Sequence, residues 1–120
     1  AISAKFIFTV SLFPYFILTS VSATLTAFKA AESYERIFNK YPDSKDAEPS
    51  LYNASYYYVK AEDWNNAIRI NDKYIATYPD AAASVDLYFD KAKYYLKLDN
   101  IVEANKVYEQ FALKKGGKRC

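Results

Sequence analysis

Apolar and polar positions divide the chain into three stretches. From Phe6 to Phe28 no residue is charged, with Lys5 before and Lys29 after. From Thr24 to Lys115 the pattern is helical, broken only at Pro42, Pro49 and Pro79. Proline disfavours helix at the preceding residue and cannot donate to the helical ladder, so these positions punctuate the segment. The pattern predicts helices over about 24–40, 48–61, 64–77, 84–98 and 100–114. Glu62-Asp63 and Asp99-Asn100 read as tight turns, with Asp63 and Asn100 as helix N-caps. Gly116 to Cys120 is a short basic tail, and Gly116 reads as the stop of the last helix.

The first stretch, residues 1–23, admits three readings. A lysine, an apolar run and then Val21-Ser22-Ala23 is the layout of a secretory signal cut after Ala23. The uncharged run 6–28 is also long enough to span or anchor in a bilayer, which takes about 20 residues, although Pro14 and many Ser and Thr make it a mediocre span. The third reading is a buried helix pair of a soluble fold. If the segment is retained, it is expected to be helical.

Composition removes most catalytic chemistry from view. The chain has no His, 2 Gly and 1 Cys. A His-based general base, a Ser-His triad, a Cys-based zinc site and a phosphate-cradling Gly-rich loop therefore lack their residues, and neither cofactor nor metal is expected. Formal charge is +2, but Lys114, Lys115, Lys118 and Arg119 all lie at the end, leaving a slightly acidic body without a nucleic-acid footprint. The sequon Asn53-Ala54-Ser55 falls inside a predicted helix with Ser55 in the core, so the match reads as chance. The chain reads as a non-enzyme.

A repeat of 37 residues runs through the helical part. Tyr41-Pro42-Asp43 returns as Tyr78-Pro79-Asp80. Ala30 maps to Ala67 and Ala104, Tyr34 to Asn71 and Tyr108, and Ile37 to Tyr74 and Phe111. Ser55, Tyr57 and Tyr58 map to Ala92, Tyr94 and Tyr95. A period in this range, with two helices per unit, signals a helical solenoid. Small residues at 55, 67, 92 and 104 let helices approach closely. The rings of Tyr58, Tyr74, Tyr95, Tyr108 and Phe111 fill the gaps between them, each contributing roughly 1.5–3 kcal/mol on burial. The 13 tyrosines suit this role, because a buried ring can still send its hydroxyl to water or a carbonyl.

These residues resemble the tetratricopeptide repeat. Its pattern reads here as Leu51, Ala54-Ser55, Tyr58, Ala67, Asn71, Tyr74, Pro79, and then as Tyr88, Lys91-Ala92, Tyr95, Ala104, Tyr108, Phe111. Glu62-Asp63-Trp64-Asn65-Asn66-Ala67-Ile68 is similar to the family's turn. Asn71 stands where an aromatic is usual, Lys91 where Leu is usual, and the period exceeds the family's 34 residues. The long Tyr-Pro-Asp connections are similar to those of bacterial cell-envelope repeat proteins of the outer-membrane assembly lipoprotein and Tol–Pal coordinator type. The resemblance implies an all-α fold, a right-handed α-solenoid of about two and a half hairpins, with repeats at 24–42, 48–79 and 84–115. It also implies an exported, periplasmic or envelope location and a scaffold role toward protein partners. The alternative is a membrane-anchored structural subunit of a larger complex, held through the N-terminal segment.

In such an array the first helices of the units line the concave face. The alignment puts Tyr52, Tyr56, Val59 and Lys60 there from one unit, and Asp86, Phe89, Lys93, Leu96 and Lys97 from the next. Aromatic rings with lysine heads suit a peptide carrying an acidic group. In the run Tyr56-Tyr57-Tyr58 successive side chains diverge by about 100°. Tyr58 is then expected in the core, Tyr56 on the groove and Tyr57 on a flank.

Overall fold

The structure, a computed structural model, describes the backbone of residues 2–117 and the side chains of residues 19–113. Five helices follow one another: α1 (Ile2–Lys40), α2 (Ala47–Lys60), α3 (Trp64–Thr77), α4 (Ala82–Lys97) and α5 (Ile101–Gly117). No strand occurs among the described residues, and the fold is all-α. Each helix packs on its neighbour in sequence. Neighbours are antiparallel. Tyr52 meets the Tyr74 ring while Ser55 meets Asn71, and Trp64 meets Tyr94 while Asn71 meets the Leu87 carbonyl.

The turns repeat as the sequence pattern requires. Glu62 and Asp99, 37 residues apart, both sit in the left-handed region at φ 56°. At the first turn, the Asp63 amide donates back to the Tyr58 carbonyl and the Glu62 amide to Val59, both at 2.9 Å. At the second, Asn100 donates to Tyr95 at 2.8 Å and Asp99 to Leu96 at 3.1 Å. These bonds satisfy carbonyls that a helix C-terminus leaves open. The next residue then caps the following helix: Asp63 accepts from the Asn66 amide at 3.2 Å, and Asn100 from Glu103 at 3.1 Å. A left-handed conformation costs a non-glycine residue about 1–2 kcal/mol, less for Asp. Glu62→Gly is therefore expected to raise stability by about 1 kcal/mol and Asp99→Gly by less, read as a higher urea midpoint. An unchanged or lowered midpoint for Glu62→Gly would deny the left-handed turn.

The other junction is set by proline. The Tyr41 and Tyr78 amides make the last backward bonds, to Ile37 and Tyr74. Pro42 and Pro79 then have no amide hydrogen to continue. Pro49 is tolerated in the first turn of α2, where its amide would have had no partner within the helix.

Two features differ from the sequence expectation. First, residues 2–40 are one helix that runs through Pro14, so the first unit is a single helix and the segment before residue 24 is not a helix pair. The side chains of residues 1–18, which would decide between signal, span and packed segment, lie outside the described residues. Among the described residues no helix is long and apolar enough to cross a membrane. Second, α5 continues through Gly116 to Gly117, because each glycine weakens a helix by only about 1 kcal/mol and need not stop it.

The core follows the small–large scheme at its small positions and at two of the five rings. Ser55, Ala67, Ala92 and Ala104 are buried, as are the rings of Tyr58 and Tyr74, whereas those of Tyr95 and Phe111 are only half-buried. The main cluster joins α1 to α4 through Ala31, Phe38, Leu51, Ala54, Ile70, Tyr74 and Leu87. A smaller one joins α4 and α5 through Ala92, Ala104 and Val107. The scheme fails toward the ends of the row. Ile37 is 38% exposed and Tyr108 36%, since each lies on a terminal helix packed on one side only.

Candidate protein-docking face

The predicted docking residues project from α2 and α4, the two helices that occupy equivalent places in the repeat. On α2, Tyr52 and Tyr56 are exposed. The Tyr52 ring stands edge-on to the buried Tyr74 ring at 6.3 Å, which fixes its orientation. Lys60 lies over the Tyr56 ring at 5.3 Å. Val59 departs from expectation: it is half-buried and packs against the main cluster, leaving its spot on the open face to its neighbours.

On α4, Asp86, Lys93, Leu96 and Lys97 are exposed. Lys93 is paired with Asp90 at 3.0 Å, and that hydrogen bond pulls its pKa up. Lys97 lies over the Trp64 ring at 5.8 Å. Phe89 leans toward α5, where it meets Tyr108 at 5.3 Å and Phe111 at 5.7 Å in edge contacts. The nine residues thus do not form one closed pocket. Tyr52, Tyr56 and Lys60 on α2 and Asp86, Lys93, Leu96 and Lys97 on α4 are exposed, while Phe89 packs against α5.

Tyr94, a residue the alignment had mapped only to Tyr57, joins α4 to α3. It stacks on Trp64 at 5.8 Å, and burial, with Asp90 and Tyr52 nearby, pushes its hydroxyl up to about 12. Its place was legible in the 37-residue offset, but its partner was not, because Trp64 lies at the start of the preceding helix, α3. Tyr57, expected on a flank, is half-buried. It stacks on Tyr34 of α1 at 5.6 Å and meets Tyr56 edge-on at 5.1 Å.

What holds these helices in place is polar as well as apolar. Tyr58 donates to Glu35 at 2.9 Å, and Arg69 clamps the same carboxylate with two bonds at 2.7 and 2.8 Å. The Arg69 hydrogen bonds hold the Glu35 carboxyl below the usual carboxylate range, and burial with Glu35 beside it pushes Tyr58 up to about 12. One carboxylate thereby ties α1 to α2 and α3. Asn71, fully buried, does the same for α2, α3 and α4. It accepts from the Ser55 hydroxyl and donates to the Leu87 carbonyl at 2.9 Å.

A separate cleft of about 570 Å³ opens between α1 and the α2–α3 turn, lined by Ser20, Val21, Thr24, Leu25, Phe28 and Ala61–Asp63. It is away from the predicted face, and no spacing pattern pointed to it. The α2–α4 side offers rings and ammonium groups on a rigid support, an arrangement suited to holding an extended or helical segment with acidic groups. No family model, curated protein or solved structure matches this chain.

Proposed function

We propose that the chain is a non-catalytic protein–protein interaction module, a right-handed α-solenoid of tetratricopeptide type that serves as scaffold in a bacterial envelope assembly. The observation that carries this reading is the face shared by α2 and α4. Tyr52, Tyr56 and Lys60 recur, one unit on, as Phe89, Lys93 and Lys97, on helices that pack against Tyr74, Asn71 and Trp64 of α3. The mechanism is presentation. A surface already ordered does not have to be ordered when the partner arrives, so that entropic cost is absent from binding. The recurring turn at Glu62 and Asp99 supports the repeat reading. The envelope placement rests on the signal-like segment and the Tyr-Pro-Asp connections.

A membrane-anchored structural subunit is the second reading. It is favoured by the continuity of α1 from Ile2 to Lys40, which would make anchor and repeat domain one rigid piece.

The test is binding of an acidic peptide library to the intact chain and to the double variant Tyr52→Ala, Lys93→Glu. Retained peptides are expected to bind the double variant about tenfold more weakly or worse, with helical circular dichroism unchanged because both side chains are exposed. Unchanged affinity would remove this face from the function.

A further inference from the structure

The basic residues in the second half of α1 share one side of the helix. At about 100° per residue, Lys29, Arg36 and Lys40 fall within about 40° of arc and form a stripe about 16 Å long. All three are exposed. Ala31 and Phe38, through which α1 joins the main cluster, lie about half a turn away. None of the three cations has a carboxylate partner among the described residues. Arg36 donates to Ser33 at 3.0 Å, and Lys40 lies over the Tyr41 ring at 5.4 Å. The acids of α1 are engaged on its inner side. Glu35 holds Tyr58 and Arg69, and Glu32 is half-buried near Tyr58.

The stripe is not on the surface merely because α1 is first in the row. Its equivalents one unit on are Asn66, Lys73 and Thr77 of α3, a helix packed between two neighbours, and none of them is buried. Toward the N-terminus the same side of the helix changes character. Val21 is 59% exposed and Leu25 50% exposed, and both lie beside the stripe on the helical arc. They belong to the run 6–28, in which no residue is charged. From residue 21 onward one continuous helix thus carries an exposed apolar patch and then a basic one.

We infer that this side of α1 docks on an anionic lipid bilayer, with Lys29, Arg36 and Lys40 at the phosphate headgroups and Val21 and Leu25 at the boundary with the acyl chains. This docking rests on the second reading, a membrane-attached subunit, and adds the class of lipid to it. Stable attachment to a membrane surface combines an apolar element with a basic patch, and α1 holds both on one side. Each cation near an anionic surface contributes about fivefold in affinity. Three charges are few for nucleic acid, whose electrostatic footprint the body of the chain lacks.

The test is flotation of the intact chain with vesicles of phosphatidylcholine alone and with vesicles holding about 30% phosphatidylglycerol. The anionic lipid is expected to raise partitioning about a hundredfold at low salt and much less at about 0.5 M salt. The triple variant Lys29→Gln, Arg36→Gln, Lys40→Gln is expected to lose this gain, with partitioning into neutral vesicles and helical circular dichroism unchanged. No gain from the anionic lipid overturns the inference. A gain that survives in the triple variant also overturns it and moves the attraction to other cations, such as those of the tail from Lys114 to Arg119. Where the chain still floats with neutral vesicles, these two results leave membrane attachment standing. Flotation with neither vesicle removes both. Retention of duplex DNA that the triple variant loses, with no gain from anionic lipid, would assign the stripe to nucleic acid and overturn the inference as well.

Discussion

Tyr58→Ala is expected to cost about 3–5 kcal/mol, a large part of the 5–15 kcal/mol typical of a whole domain. Tyr58 is 2% exposed, meets Phe28 edge-on at 5.9 Å, and donates to Glu35. Removing it empties the joint between α1 and α2 and leaves Glu35 to Arg69 alone. Tyr58→Phe keeps the ring and is expected to cost only about 1 kcal/mol, the share of the hydrogen bond. The phenol also gives this joint an alkaline limit. Its pKa rises from 10.0 to about 12 in the fold, so the unfolded chain loses the proton first. The stabilisation is complete below pH 10 and disappears as pH climbs toward 12. Urea unfolding at about pH 8 and about pH 11 should show a smaller loss for Tyr58→Phe than for the parent chain. Part of the loss remains, because Tyr94 is raised in the same way. Equal losses in both proteins would mean that the Tyr58 hydroxyl is not held as described.

Asn71→Ala is the second large effect, about 2–4 kcal/mol. The side chain is fully buried, and its amide serves α2 through Ser55 and α4 through the Leu87 carbonyl. Truncation leaves a void and a buried hydroxyl without its acceptor. Asn71→Leu fills the volume but still strands Ser55, which itself is 2% exposed. Adding Ser55→Ala to Asn71→Leu removes the stranded group, so the double variant is expected to be more stable than Asn71→Leu alone by about 1 kcal/mol or more. The double-mutant cycle in urea measures this directly. Additive effects would mean that the two side chains do not interact.

These two residues also show how far the chain could be read without its fold. The matching turns at Glu62-Asp63 and Asp99-Asn100, the stops at Pro42 and Pro79, and the small positions 55, 67, 92 and 104 were legible. They depend on local geometry and spacing. Asn71 looked like a defect, a polar residue where an aromatic is usual. Its use is visible only when Ser55 and Leu87, each 16 residues away, come to it from two other helices. Of the docking residues that the resemblance implied, Tyr52, Tyr56, Lys60, Asp86, Lys93, Leu96 and Lys97 are exposed. Val59 turned inward and Phe89 turned toward α5, because packing by α3 and α5 reshaped the edges of an ideal helical face.

By itself the sequence determined the helices, their order and the constant step between units, since turn chemistry and apolar spacing act within a few residues. Tertiary structure decided which polar groups meet, such as Glu35 with Arg69 across 34 residues. It also decided which faces stay bare. A helix in the middle of the row is covered on both sides, while α1 and α5 carry the same pattern with a neighbour on one side only. Spacing along the chain repeats without regard to position in the row, and burial does not.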